Sequence, residues 1–217
     1  NTTALIDALK AVCRSYGLGN DGNEYKIITQ VFLYKFINDK LGHELCRNHN
    51  ITGNWEKEYS AQMCSELFRE LPQDIPRLMP GQLVSDLWSQ RERPDFDRVF
   101  DNTMIAVSDM NGEVFYTLTA QETHIPLFEK LTPFVMDEAQ RAPFARAVIK
   151  KLHDFSFEEA FSRGYDFFAD IFEYLIKDYN TASGGKYAEY YTPHSVAEIM
   201  AQLLADGASG KYAECYD

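Results

Sequence analysis

One stretch constrains the fold of this chain more than any other. From Tyr25 to Leu41 the sequence carries Ile27, Ile28, Val31, Phe32, Tyr34, Phe36 and Ile37, apolar around most of a helical circumference rather than along one stripe. A helix of that kind has no face to give to water, so it belongs at the centre of a bundle with other helices laid around it. The preceding segment, Ala4–Tyr16, supplies a first neighbour. Leu5, Ile6, Leu9, Val12, Cys13 and Tyr16 recur at three- and four-residue steps, with Thr3 expected as N-cap and Gly17 as terminator.

Further helices are expected over Trp55–Leu71, from near Gln82, and over Phe96–Met110, separated by loops at Pro72, Pro76, Pro80 and Pro94. Between Glu113 and Leu127 the run Val114–Thr119 follows an Asn111-Gly112 turn signal and predicts a short β hairpin. Helical spacing resumes over Pro143–Leu152 and again over Phe157–Tyr179, where Phe161, Tyr165, Phe168, Phe172 and Leu175 form an aromatic-rich stripe that reads as core packing. Asn180–Lys186, with Ser183-Gly184-Gly185, reads as a junction. It divides the chain into a helical domain, 1–179, and a second region, 180–217. A final strand is expected over Lys211–Tyr216, and without sheet neighbours it should fray or pair elsewhere.

With 45% hydrophobic and 14% aromatic residues the chain has the material for one or two cores. It carries no run of about 18 apolar residues and no apolar leader over Asn1–Asp7, so the reading is soluble and cytoplasmic, with no membrane partner. Cys13, Cys46, Cys64 and Cys215 are scattered, which argues for reduced thiols. His43, Cys46 and His49 lie close in sequence but lack a second ligand pair, so no metal site is expected. The net charge of −12 implies that the chain alone holds nucleic acid poorly, the positive surface coming from elsewhere in a larger protein or from a partner.

The chemistry-bearing signal lies past the junction. Glu189-Tyr190-Tyr191-Thr192-Pro193 precedes a helix whose Val196, Ile199, Met200, Leu203 and Leu204 keep helical spacing up to Gly207. Thr192 is placed as N-cap and Pro193 at the first helical position. Such a start offers unpaired N–H groups, the positive end of the helix dipole and a hydroxyl, a set suited to a carboxylate. On residue types alone, an ordinary helix cap is the favoured account. Acidic pairs such as Glu158-Glu159 and the lone His194 read as solvated helix faces.

Glu189–Pro193 and its following helix, together with Val31–Lys40 and Asp170–Ile176, resemble the modification (M) subunits of type I restriction-modification systems, which are adenine N6 DNA methyltransferases. Ala188 stands where that family usually has glycine, and Tyr190 where it often has phenylalanine. The resemblance implies a mainly α fold: an N-terminal helical bundle with a short β hairpin, ending at the first helix and strand of a truncated Rossmann-like methyltransferase domain. It implies S-adenosylmethionine as cofactor, with Tyr190, Tyr191, Thr192 and Pro193 at its methionine end and Asp217 closing the first strand. The partners implied are a DNA-specificity (S) subunit, a restriction (R) subunit, a second M subunit, and double-stranded DNA held through the complex. The family's Asn-Pro-Pro-aromatic or Asp-Pro-Pro-aromatic adenine-binding sequence does not occur in these residues, so no catalytic residue is expected in this fragment. The alternative is a non-enzymatic helical interaction module.

Overall fold

The computed structural model describes residues 2–19, 22–48, 54–60, 63–64, 68, 76–112, 117–118, 124–162, 192 and 194–205. Contacts gather into two compact units, Asn1–Leu175 and Ile176–Asp217. Elements are numbered below among the described residues.

In the first unit, α1 spans Thr2–Ser15 and buries Leu5, Ile6, Leu9, Val12 and Cys13. Thr3 therefore lies inside the first turn rather than capping it. The helix ends as the sequence suggests. Gly17 takes φ +78°, the Leu18 N–H reaches the Cys13 carbonyl (2.9 Å) and the Gly17 N–H the Arg14 carbonyl (3.2 Å). This is a Schellman cap, with buried Leu18 closing over Cys13.

Helix α2, Gly22–Asn48, runs seven residues past the expected end. Ile27, Ile28, Val31, Phe32, Tyr34, Ile37, Leu41 and Leu45 are all buried, as an all-round apolar helix requires. Trp55 opens the short α3, Trp55–Glu58, capped by Asn54, whose side chain accepts from the Glu56 N–H at 3.1 Å. A Cβ on Gly42 would stand 2.3 Å from the Trp55 ring, so only glycine lets the indole lie on α2. Of the helix expected over Trp55–Leu71, the described residues show this turn and, further on, helical Met63, Cys64 and Phe68.

The most widely connected element is α6, Glu138–His153, which packs against α1, α2, α4 (Val84–Ser89), α5 (Phe96–Asn111) and the 3-10 turn Thr132–Phe134. Its buried face is Phe144, Ala145, Val148, Ile149 and Leu152. The sequence points to Pro143 as its start. Instead Asp137 caps it, accepting from the Ala139 N–H at 3.0 Å, and Pro143 lies inside. A proline this near a helix start removes one backbone bond, and the burial that follows outweighs that loss.

Helix α5 follows its expected bounds to within a residue, and it also anchors irregular chain. Asp101, Ser108 and Asn111 are buried and fall on one side of it. Asp101 accepts from the N–H groups of Leu131 (2.9 Å) and Thr132 (3.1 Å) and from the Thr132 hydroxyl (2.6 Å). Ser108 accepts from the Phe128 N–H (3.1 Å), and Asn111 exchanges bonds with both backbone groups of Arg77. Segments with no ladder of their own thus have their buried polar groups satisfied by one helix face.

A second hub sits on α2. Asn38 accepts from the Val84 N–H at the start of α4 (3.0 Å), and Asp39 accepts from the Phe157 N–H (2.9 Å) while pairing with Lys35 at 2.8 Å. Phe157 and the following α7, Glu158–Ser162, then pack on α2: Phe157 lies 5.0 Å from Phe32, and Phe161 5.3 Å from Phe36. For these two aromatics the core reading is what the structure shows. The rest of the stripe, from Tyr165 on, lies outside the described residues.

The hairpin in the expected fold class is corrected. The described residues are mainly helical, and the extended pairing they show between Glu113 and Leu127 is two residues a side, Thr117 against Ile125 and Leu118 against His124. Pro126 gives the physical reason. It has no N–H to donate, so a ladder cannot run past Ile125, and so short an isolated pair does not form a structural layer. The strand expected over Lys211–Tyr216 lies outside the described residues. In the second unit the described element is α8, His194–Ala205.

Candidate functional site

Of the residues the sequence assigns to a cofactor, Thr192 is described; Tyr190, Tyr191, Pro193 and Asp217 lie outside the described residues. Thr192 is exposed and stands two positions ahead of α8, which begins at His194, one residue after the expected first helical position. Along α8, Val196 (44% exposed), Ile199, Met200 and Leu203 (72% exposed) fall at steps of three and four and form an open apolar stripe. A short helix with a free hydroxyl near its N-terminus and an uncovered apolar face can receive an anion at one end and dock along its side.

The first unit has a hollow of about 290 Å³ between α2, α3 and the approach to α7, lined by Lys35, Asp39, His43, Cys46, Trp55, Glu56 and Glu158 among others. Its strongest charges are already used, since Lys35 and Asp39 are paired and nearly buried. Burial pushes the Cys46 thiol up, and the negative charges of Glu158 and Glu58 push it further the same way, so it stays a thiol rather than a thiolate. His43 leans on the Phe161 ring at 5.3 Å. No group of three or more His, Cys, Asp or Glu side chains among the described residues is arranged to hold a metal. Cys13, Cys46 and Cys64 are free thiols, and burial with the Glu24 charge raises Cys13 to about 12. Among the described residues no helix is long and apolar enough to cross a membrane.

Sequence reasoning missed a cationic face on the first unit. Arg146 on α6 donates to the carbonyls of Arg91 (2.6 Å) and Arg93 (3.2 Å), and the His153 ring stacks on Trp88, beside which the Arg91 guanidinium also lies. The spacing Arg146, Lys150, His153 signals one helix side, but Arg91 and Arg93 join it only in three dimensions.

No curated protein and no solved structure gives a significant match to the chain. The segment containing Glu189–Pro193 and α8 does have a family match: residues 163–217, about a quarter of the chain, are similar to the N-6 DNA methylase family.

Proposed function

We propose that the chain is the N-terminal region of a type I restriction-modification DNA methyltransferase subunit, whose complete form moves a methyl group from S-adenosylmethionine to adenine N6 in DNA. The observation that carries this reading is the N-6 DNA methylase match over 163–217, which takes in the Thr-Pro helix start. The helices of the first unit serve docking to the specificity subunit and to DNA. A restriction subunit and a second modification subunit complete the assembly.

Thr192 fits the cofactor's methionine end. Its hydroxyl is exposed at the approach to a twelve-residue helix, whose first N–H groups have no partner within the helix and whose dipole favours a negative charge. Tyr190, Tyr191 and Pro193 lie beside it in sequence, and Asp217 completes the same cofactor set. The cofactor supplies an electrophilic methyl group; these residues hold and orient its carboxylate end. The apolar stripe of α8 then packs within the cofactor domain. On this reading the adenine-binding Asn-Pro-Pro-aromatic sequence, which does not occur in these residues, belongs to another part of the protein.

A hydrogen bond to a charged carboxylate contributes about 1.5–3 kcal/mol, so Thr192→Val in the full-length protein is expected to raise KM for S-adenosylmethionine about tenfold or more. Serine at this position should retain most of the affinity. A valine variant with unchanged KM would return Thr192 to the role of an ordinary helix cap. The large, well-packed first unit with its acidic charge also suits a non-enzymatic interaction module, and absence of cofactor-dependent methylation would favour that reading.

A further inference from the structure

One face of the first unit departs from the acidic character of the chain. Helix α6 carries Arg141, Arg146, Lys150 and Lys151 against a single acidic residue, Glu138. Arg146, Lys150 and His153 share one side of it. The two carbonyl bonds from Arg146 hold the turn containing Arg91 and Arg93 against that side. The Arg91 guanidinium lies 4.1 Å from the centre of the Trp88 ring, and the His153 ring stacks on the same indole at 4.9 Å and 22°. Trp88 thereby draws a cation from the turn and an imidazole from the helix to one place.

The acidic neighbours are few and local. Glu92 lies 3.3 Å from Arg91, Asp95 holds the exposed Arg93 at 3.0 Å, and Asp154 lies 3.5 Å from His153. Arg146 spends its guanidinium on neutral carbonyls, so its charge is not cancelled. Lys150 is exposed, and neither it nor Lys151 has an acidic partner among the described residues.

We infer that this face contacts the phosphate backbone of double-stranded DNA, an inference that rests on the methyltransferase reading above. The row from Arg146 to His153 rises about 10 Å along the helix axis. A row of that length reaches more than one phosphate of a strand. Arginine presents a planar fork suited to phosphate oxygens, and a lysine without a partner exchanges only water and counterions when it meets one. Backbone contacts of this kind fix register without reading sequence, which suits a subunit whose target is read elsewhere. The carboxylates of Glu92 and Asp95 compete with phosphate for Arg91 and Arg93, which keeps the contact weak outside the assembled protein.

The test follows duplex binding by the full-length methyltransferase through the anisotropy of a labelled duplex over a salt series, with methyl transfer measured alongside. Lys150→Ala is expected to reduce the slope of log affinity against log salt by about 0.9, one phosphate contact, and to weaken binding several-fold at low salt. The double variant Arg91→Ala/Lys150→Ala should lower the slope further. Lys57→Ala, an exposed lysine on α3, should match wild type. Wild-type slope and affinity in both face variants, with methylation intact, overturns the contact and leaves the methyltransferase reading standing. An equal loss in Lys57→Ala also overturns it, as a general charge effect. A wild-type protein that neither methylates nor binds duplex overturns both.

Discussion

Helices α1 and α8 carry nearly the same pattern and meet opposite fates. In α1, Leu5, Ile6, Leu9 and Val12 recur at helical steps and are buried; in α8, Val196, Ile199, Met200 and Leu203 recur at helical steps and are exposed. Periodicity states that a helix needs a partner surface, and says nothing of where that surface is. In the first unit the partners lie nearby in the described chain: α2 and α6 cover α1. For α8 the stripe is open, with no such cover among the described residues.

The sharpest way to break this comparison is truncation on each side of it. Phe144→Ala removes a fully buried ring that also meets Tyr16 edge-on at 5.4 Å, and should cost about 3–5 kcal/mol in urea unfolding. Leu203→Ala on α8 should change the same measurement of the isolated chain by no more than about 0.5 kcal/mol. Equal losses would mean that α8 is as well packed as the face of α6 that covers α1. Next in size is Asp101→Ala, which leaves two N–H groups and a hydroxyl without an acceptor, for a loss of about 3 kcal/mol; Asp101→Asn, which keeps an acceptor, should lose less. Smallest is Gly17→Ala. A Cβ there meets nothing within 4 Å, so the whole effect is that of an L-residue at φ +78°, about 1 kcal/mol. A neutral result would show that the α1 cap can rearrange.

Much of the helical layout was legible because apolar spacing is a local signal. Helix α5 was expected over Phe96–Met110 and spans Phe96–Asn111. What escaped were interactions that join distant residues. Asp101, Ser108 and Asn111 look like a polar outer face in sequence, yet they are buried because loops 20 to 34 residues away bring their N–H groups to them. Helical spacing points to Pro143 as the start of α6, whereas Asp137 supplies the cap. The run Val114–Thr119 suggests a hairpin, but Pro126 has no N–H to give to a longer ladder. For the site, Thr192 and Pro193 carried a physical rationale for binding an anion, but the choice of S-adenosylmethionine came from resemblance and the family match. The cationic face was hidden by the total of −12, which averages over surfaces that a nucleic acid would meet one at a time.

The most direct test of the central claim is to incubate the full-length protein and its partner subunits with duplex DNA and methyl-labelled S-adenosylmethionine, then digest the DNA to nucleosides. Label recovered as N6-methyl-2′-deoxyadenosine, and lost when the protein is omitted, is the expected result. Label in cytosine, or no label in DNA at all, would contradict the account.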